Sequence, residues 1–240
     1  DNVVGAFAAS YQVLPSTHVF ASYTQLFNGP DLQEAIRNTD GEGKYISSDL
    51  EPETGSNAEV GVSTIFRNLT IAEDSLQLSG KYFVTDLENW ITYKSGIDCT
   101  TGLASDTGTC AGSFNADEDY EIKGVELSAD YRANNFNMGL SYARARSEGK
   151  ESGYSLSQGT GDENDAGDKY SVNLGYAPTD KIDLGWRSTY VTSINPNTGD
   201  DTDTEKEGYD VHDIFMTYKP QQVAGVKATL GVYNIFDETY

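Results

Sequence analysis

Residues 181–191 read KIDLGWRSTYV, and this stretch alternates with a period of two. One set of alternate positions is apolar or aromatic: Ile182, Leu184, Trp186 and Tyr190. The positions between them are polar, charged or small: Lys181, Asp183, Gly185, Arg187 and Thr189. Successive side chains of a β-strand point to opposite faces of its sheet, so the stretch predicts a strand with one apolar face and one polar face.

The same alternation recurs along the whole chain, for example at residues 75–87 and 136–142. No window shows a comparable apolar stripe with the 3.6-residue period of a helix. Ten candidate strands follow from the pattern: 2–14, 18–27, 56–66, 75–95, 120–131, 136–146, 169–176, 181–191, 209–218 and 226–236. The sequence therefore predicts an all-β, antiparallel up-and-down fold.

The connections between these strands alternate strictly between short and long. The short ones are 15–17, 67–74, 132–135, 177–180 and 219–225, and the long ones are 28–55, 96–119, 147–168 and 192–208. Alternate connections of an up-and-down sheet lie at opposite ends, so the long loops share one rim. Outer-membrane barrels have this asymmetry, together with aromatic residues near the strand ends, whereas a soluble β-sandwich has loops of similar length at both ends. The transmembrane barrel is the favoured fold.

Composition excludes several other classes of protein. Asp and Glu number 38 against 16 Lys and Arg, which gives a net charge of −22 and disfavours binding to nucleic acid. The mean hydropathy is −0.52, and the longest apolar run is Ala6 to Ala9, so the sequence contains no segment for a transmembrane helix. Cys99 and Cys110 bracket a polar loop without zinc-ligand spacing, which predicts a disulfide in an oxidising compartment.

Two further patterns have a chemical interpretation beside a structural one. Asp210 and His212 alternate onto one face, and a carboxylate beside a histidine is the start of a hydrolase arrangement, as in ten-stranded outer-membrane proteases. The acidic stretches 161–168 and 199–208 contain oxygen ligands for Ca²⁺, but Ala166 occupies one of the calcium-loop positions. Solvated loops are favoured for both stretches, and no metal site is predicted.

Three segments carry a resemblance to a known family. VFASYTQLFNGPDLQEA at 19–35 is similar to a strand followed by F-R-A-P-x-L-x-E, with Phe27, Pro30, Leu32 and Glu34 in place. DLEPETGSNAEVGV at 49–62 is similar to N-P-x-L-x-P-E-x-S-x-x-x-E-x-G, with Leu50, Pro52, Glu53, Asn57, Glu59 and Gly61 in place. GVYNIFDETY at 231–240 is similar to N-x-F-D-x-x-Y, with Asn234, Phe236, Asp237 and Tyr240 in place.

In this order, the segments resemble the C-terminal half of the barrel of TonB-dependent outer-membrane receptors. The resemblance implies about ten strands of a 22-strand barrel, so residues 1–240 are expected to be a partial barrel domain without its plug domain and final strand. It also implies a bacterial outer-membrane location and active transport rather than enzymatic chemistry. The implied partners are the TonB complex acting through the plug, outer-membrane lipid and lipopolysaccharide, and an extracellular iron ligand or heme protein.

Within that family, SYTQLFNGPDLQEA and GYDVHDIFMTYKP look most like heme and hemoglobin receptors. The transported ligand is therefore expected to be heme, with a ferric siderophore as the alternative and no covalently bound cofactor. Such receptors commonly carry a heme-binding His between the first two segments, but Asn28 to Glu53 contains none, which leaves Tyr45 as a candidate phenolate ligand. Arg37 and His212 are further candidate ligand-binding residues, and the loops 28–53 and 99–110 are the candidate capture surfaces.

Overall fold

The computed structural model describes residues 3–31, 43–47, 49–156, 165–198, 205–220, 223 and 225–239. These residues form thirteen strands: β1 (Ala6–Leu14), β2 (Thr17–Asn28), β3 (Gly43–Lys44), β4 (Glu53–Arg67), β5 (Ser75–Glu88), β6 (Ile91–Ile97), β7 (Cys110–Asn115), β8 (Tyr120–Ala133), β9 (Phe136–Gly149), β10 (Lys169–Thr179), β11 (Ile182–Val191), β12 (Tyr209–Tyr218) and β13 (Ala228–Val232). Across the described ranges, no helix has the length and apolar character needed to cross a membrane.

Ten of the strands form one antiparallel sheet in the order β1-β2-β4-β5-β8-β9-β10-β11-β12-β13. The sheet follows chain order, apart from two places where the chain leaves it to build a second sheet of three strands, β3-β7-β6. The predicted all-β antiparallel fold and the up-and-down order are confirmed. Within the described residues the long connections lie at one rim and the short turns, such as Asn134–Asn135, at the other.

The prediction of one strand over residues 75–95 is wrong. β5 ends at Glu88, and Asn89 adopts a left-handed φ of 58° that turns the chain away from the large sheet. Ile91–Ile97 then pairs with Cys110–Asn115 in the second sheet. The apolar alternation continues through Ile91 and Tyr93, so the pattern identifies a strand but carries no mark of which sheet it joins.

The outer limits of two other predicted strands also need correction. The strand predicted at 226–236 is confined to Ala228–Val232, because Asn234 and Asp237 adopt φ angles of 49° and 55° and fold the chain into a turn. The strand predicted at 2–14 begins at Ala6. Residues 1–2 and Tyr240 lie outside the described residues.

One face of the large sheet is apolar between two rows of aromatic residues. Tyr142, Tyr170 and Tyr190 are direct register partners on β9, β10 and β11, and their rings lie 5.0 Å and 6.1 Å apart. A second row lies toward the short turns: Phe66, Tyr131, Phe136, Tyr176 and Tyr218. Two aromatic rows that border an apolar band mark the lipid-facing surface of a membrane barrel, and we call this the outward face.

The other face of the sheet, which we call the inward face, is polar and rich in glycine. Large side chains here lie over glycines of the neighbouring strand: a Cβ on Gly61 would overlap the Phe20 ring, and a Cβ on Gly175 would overlap the Asn137 amide. Because lipid and lumen cover the two faces, the large sheet buries little apolar surface itself. The most buried apolar residues lie mainly in the three-stranded sheet, including Ile91, Tyr93, Ile97, Cys110 and Ala111.

The turn between β4 and β5 is organised around the buried carboxylate of Asp74, which is 2% exposed. The Thr70 hydroxyl and the backbone amides of Leu69, Thr70 and Ile71 donate to it, and the Tyr131 hydroxyl donates from 3.1 Å. The Thr70 hydroxyl and these amides hold the pKa of Asp74 well below its usual range. A short turn at this rim is thus fixed by one side chain.

Candidate ligand-capture surface

The three-stranded sheet is built by two of the long loops and stands on the long-loop rim. β3 pairs parallel to β7, and β7 pairs antiparallel to β6, so loop 28–53 and loop 89–119 are joined by backbone hydrogen bonds. One side of this sheet is buried: Ile91, Tyr93, Ala111 and Ser113 are each less than 9% exposed. The described parts of the two loops that the sequence singles out as capture surfaces are therefore joined in a single folded unit.

A disulfide closes this unit. Cys99 and Cys110 are bonded, with their Cα atoms 5.1 Å apart, and Cys110 is 1% exposed. Asp98 organises the turn that follows by accepting hydrogen bonds from the amides of Thr101 and Thr100 at 2.8 Å and 2.9 Å. The same amides lower the pKa of the Asp98 carboxyl. The loop is thus held by one covalent bond and one charged turn.

Tyr45 lies on the unburied side of the small sheet. Its ring stacks on Phe114, with centroids 5.4 Å apart and planes 14° from parallel, and its amide donates to the carbonyl of Ala111 at 3.1 Å. Gly102, at φ 69°, leaves room for the phenol: a Cβ there would lie 2.9 Å from the hydroxyl oxygen. The Lys94 ammonium is 5.6 Å from the Phe114 centroid. We call Tyr45, Lys94 and Phe114 the aromatic platform.

Sequence reasoning identified Tyr45 but missed Phe114 and Lys94. Both residues lie on strands of the small sheet, where Lys94 pairs with Gly112 and Phe114 pairs with Thr92. The sequences of these strands, ITYKSGI and CAGSFN, carry no mark that separates them from other strands. The nearest usable signal is the position of Phe114 four residues after Cys110, just outside the loop that the disulfide closes. The pairing of β3 with β7 has no local signature.

The motif residue Glu53 anchors the small sheet to the large one. Glu53 accepts from the side chain of Asn28 at 2.8 Å and from the backbone amide of Ile91 at 2.9 Å. Its carboxylate therefore ties the end of β2, the start of β4 and the start of β6 together. Pro52 directly precedes β4, while Phe27 is the next-to-last residue of β2, lies on the outward face and is 43% exposed.

Pro30 is half-buried just beyond the end of β2. Leu32, Glu34 and Arg37, which complete the first motif and the candidate ligand set, lie outside the described residues.

The C-terminal motif forms a closed turn. The Asn234 side chain donates to the carbonyl of Glu238 at 2.8 Å and accepts from the amide of the same residue at 2.9 Å. The amide of Asp237 donates to the Asn234 carbonyl at 3.0 Å, and the Asn234 amide donates to Asp213 on β12 at 2.9 Å. Asn234 and Asp237 therefore have a structural role in the turn that follows β13.

His212 lies on the outward face beside this turn. Its ring stacks on Trp186 at 5.6 Å and meets the edge of Phe236 at 5.1 Å, while Nε2 lies 2.8 Å from the Asp210 carboxylate. Nδ1 is buried without a hydrogen-bond partner among the described residues. The Asp210–His212 pair of the protease hypothesis thus exists, but the His212 ring is packed against aromatic rings on the lipid-facing side, and only Asp210 is exposed. His212 and Tyr45 lie on different sheets.

A second loop cluster stands beside the small sheet on the same rim. Asp165, which is 7% exposed, accepts from the amide and the hydroxyl of Ser147 at 2.9 Å and 2.7 Å. The backbone of Ser155 donates to the carbonyl of Asn197 at 2.7 Å and so joins two different long loops. Glu118 accepts from the hydroxyl and amide of Ser152; these bonds outweigh the effect of burial and lower the pKa of Glu118.

Below the loops, the inward face carries an alternating row of charges. Lys81 on β5 lies 3.4 Å from Glu59 on β4 and 3.4 Å from Glu126 on β8. Further along the face, the Arg187 guanidinium lies over the ring of Phe215 and donates to Asn173 at 3.2 Å. A polar, charged inward face beneath folded loops is the arrangement expected of a membrane barrel with a wet lumen.

The chain belongs to the TonB dependent receptor-like β-barrel family, whose sequence model matches residues 1–235. Members of this family are outer-membrane proteins. The chain is 27% identical over 239 residues to a hemin receptor of Yersinia enterocolitica, covering 92% of this chain and 33% of the relative. It is 24% identical over 242 residues to a heme/hemopexin utilization protein C of Haemophilus influenzae, covering 92% of this chain and 32% of that relative. The chain thus spans about a third of the length of these relatives.

Solved structures show the same fold. The FrpB iron transporter from Neisseria meningitidis superposes with a TM-score of 0.73 at 18% identity, covering 98% of this chain and 35% of the transporter. A double mutant of the Serratia marcescens hemophore receptor HasR, solved with its hemophore HasA and heme, superposes with a TM-score of 0.74 at 18% identity, covering 97% of this chain and 36% of that receptor. These similarities confirm the predicted receptor-barrel architecture. The names of these relatives describe receptors, a transporter and a utilization protein.

Proposed function

We propose that this chain is part of an outer-membrane receptor that binds heme and imports it with energy supplied through TonB. The observation that carries this proposal is the similarity over at least nine-tenths of the chain to proteins named hemin receptor, heme receptor and heme/hemopexin utilization protein. The barrel segment supplies the passage. A plug domain elsewhere in the full receptor and the TonB complex would couple transport to the inner membrane.

The aromatic platform supplies groups suited to heme at the outer surface. Tyr45 and Phe114 offer stacked rings to a flat porphyrin, and Lys94 offers a cation near them for a carboxylate. The Tyr45 phenol is a ligand that ferric heme iron accepts. Lys94 also lies 3.3 Å from Asp117, and both side chains are strongly exposed, so this pair opens at little cost. We propose Tyr45 as the first iron ligand that heme meets.

Hemin titration of the purified full-length receptor tests this proposal. We expect the Soret band to shift on binding, and we expect Tyr45→Phe to remove the phenolate-to-iron absorbance while the stacked ring remains. Tyr154→Phe, which removes the hydroxyl of an exposed tyrosine in a different loop, is the control and should leave the spectrum unchanged. Tyr45→His should restore a coordinated spectrum of a different type.

A growth assay with the same receptor distinguishes heme import from the alternative, import of a ferric siderophore. Cells that depend on the receptor are expected to grow with hemin as the iron source, and growth restricted to a ferric siderophore would contradict heme import. If wild-type receptor binds hemin but Tyr45→Phe has an identical spectrum, import stands and the assignment of Tyr45 falls. A casein cleavage assay with His212→Ala tests the protease hypothesis, and we expect no activity that depends on His212.

A further inference from the structure

A second cluster of a tyrosine, a phenylalanine and a cation lies on the inward face of the large sheet. The Phe215 ring on β12 meets the Tyr233 ring edge to face, with centroids 5.4 Å apart, and the Arg187 guanidinium on β11 lies 5.6 Å from the Phe215 centroid. In the aromatic platform the phenylalanine also lies 5.4 Å from its tyrosine, there with stacked rings, and 5.6 Å from its cation. The same three chemical groups therefore occur together at two places, and we call Arg187, Phe215 and Tyr233 the inward triad.

Register pairing places the inward triad inside the barrel, at the depth of the apolar band. Phe215 lies between Ile214 and Met216, whose side chains belong to the outward face between the two aromatic rows. Adjacent residues of a strand point to opposite faces, so the Phe215 ring points into the lumen at the same depth. A ligand that crosses the barrel from the long loops to the short turns therefore passes this level.

Two glycines keep the Phe215 ring upright and accessible. Its register partners are Gly185 on β11 and Gly231 on β13. A Cβ on Gly231 would lie 3.1 Å from Cδ1 of the ring, and a Cβ on Gly185 would lie 3.5 Å from Cδ2. The ring therefore stands between the two glycines, whereas the Phe83 ring lies over its own glycine partner. Tyr233 is 69% exposed, so both rings of the triad offer area to a ligand in the lumen.

The charges around the triad balance one another before a ligand binds. Asp213 is the register partner of Arg187, and its carboxylate accepts a backbone hydrogen bond at 2.9 Å from the turn after β13. Toward the short turns, Asp183 pairs with Lys219 at 2.6 Å. Among the described residues, no carboxylate lies within ion-pair distance of the Arg187 guanidinium, which donates through Nε to Asn173 at 3.2 Å. Its two terminal nitrogens therefore remain for a carboxylate of a ligand.

We propose that the inward triad is a second binding site, within the barrel, for a flat ring system that carries carboxylates. This inference rests on the proposed function, which makes heme that ligand. The rings of Phe215 and Tyr233 pack against the porphyrin, and the Arg187 guanidinium binds a propionate through paired hydrogen bonds. Neither contact needs an iron ligand. Heme that leaves the aromatic platform thus meets the same three groups again inside the barrel, at a site that recognises the porphyrin without its metal.

Fluorescence titration of the full-length receptor with metal-free protoporphyrin IX tests the proposal. The background variant is Tyr45→Ala/Lys94→Gln, which removes one ring and the cation of the aromatic platform, so that the remaining binding reports on the inward triad. In this background we expect Arg187→Gln to weaken binding about five- to ten-fold, the factor of one hydrogen bond to a charged group. Arg187→Lys, which retains the charge, should keep most of the binding. Lys169→Gln removes another exposed inward cation and is the matched control, with affinity unchanged.

The carboxylates of the ligand and the flat ring of the protein are tested separately. The dimethyl ester of protoporphyrin IX has no free carboxylate, so the background receptor should bind it more weakly than the acid. The Arg187→Gln variant of that receptor should bind acid and ester alike. Phe215→Leu keeps an apolar side chain but removes the flat ring, and it should weaken the binding of both porphyrins.

Equal affinity of the background receptor and its Arg187→Gln variant would overturn the proposal, as would equal affinity for acid and ester or no binding by the background receptor at all. Growth of cells on hemin reports on the proposed function independently. Growth on hemin without protoporphyrin bound at the triad would remove the inward site and leave heme import in place. Protoporphyrin binding at the triad without growth on hemin would keep the inward site and contradict heme import.

Discussion

The ring of Phe83 lies over Gly124, its direct register partner on the neighbouring strand. A Cβ on Gly124 would overlap the tip of this ring and would also lie 2.7 Å from the backbone oxygen of Arg144. Phe20 covers Gly61 in the same way on β2 and β4. Aromatic rings laid over glycines allow a polar lumen face to bury apolar area without a large side chain at every position.

Replacement of Gly124 by valine should destabilise the barrel, because the new side chain forces the Phe83 ring and the β8–β9 backbone apart. We expect a loss of about 1–3 kcal/mol, the usual cost of overpacking. The urea midpoint of the folded receptor measures this loss. Gly185→Ala is the control, since the nearest Phe215 atom would lie at an ordinary 3.5 Å. A stability equal to wild type for Gly124→Val would contradict the packing described for Phe83.

Asp74→Asn should loosen the turn between β4 and β5, since the amide replaces a carboxylate that accepts from three backbone amides and two hydroxyls. The folded-state pKa of Asp74 is lowered, so its contribution to stability is fully present above the unfolded pKa of about 4. That contribution is lost as the pH falls from there through the folded pKa.

The difference in unfolding midpoint between wild type and Asp74→Asn therefore is expected to be largest at neutral pH and to shrink under acid. Denaturant titrations at several pH values measure it. Asp180→Asn, in another short turn, is the control for loss of a surface charge. A midpoint difference that stays constant down to strongly acidic pH would contradict the assigned role of the carboxylate.

Loss of the disulfide should lower the local stability of the small sheet and leave that of the large sheet unchanged. Cys99 and Cys110 are 11 residues apart, and in the chain-entropy model a loop of this size contributes roughly 3 kcal/mol. In Cys99→Ser/Cys110→Ser, we expect faster hydrogen exchange across Ile91–Ile97 and Cys110–Asn115, with exchange in β9 unchanged. Because Tyr45 stacks on Phe114, hemin affinity should fall as well. Unchanged exchange in β6 and β7 would show that the sheet holds without the covalent bond.

The period-two alternation of the sequence predicts the strands of the large sheet. The alternation of short and long connections predicts which rim of that sheet holds the long loops. Both signals are local. The stretch KIDLGWRSTYV is enough to assign the apolar and polar faces of β11, whichever strands pair with it. The small sheet is different, because β3 finds β7 across more than sixty residues of chain, and only two residues of β3 take part. The break at Asn89 is equally hidden, since a left-handed residue leaves the alternation on either side intact.

The same contrast holds at the site. The chemistry of Tyr45 is visible in the sequence, whereas its stacking on Phe114 and its fit against Gly102 depend on the pairing of two loops. The motif residues Glu53 and Asn234 are recognisable by spacing, and the structure shows that they tie strand ends and close a turn. Family spacing therefore reports on the construction of the rim, and ligand contacts must be sought in the loops.

Removal of Lys81 should expose repulsion between Glu59 and Glu126 across the inward face, since its ammonium lies 3.4 Å from each carboxylate. All three side chains are partly exposed, so we expect Lys81→Met to cost about 1 kcal/mol at low ionic strength. Salt screens repulsion between exposed charges, so the deficit should shrink as NaCl rises from about 0.01 to about 1 M. Urea midpoints at each salt concentration measure this change.

Neutralising one of the facing carboxylates should rescue the lysine variant. In Lys81→Met/Glu59→Gln, Glu126 is the one charge of the three that remains. The second substitution removes the repulsion between the two carboxylates, so we expect it to restore stability rather than to lower it further. Lys169→Met, which removes a different inward cation, serves as the control and should show no rescue by Glu59→Gln. Additive effects of Lys81→Met and Glu59→Gln in this double-mutant cycle would mean that the two charges do not interact across the sheet, and the row would then be a set of independently solvated side chains.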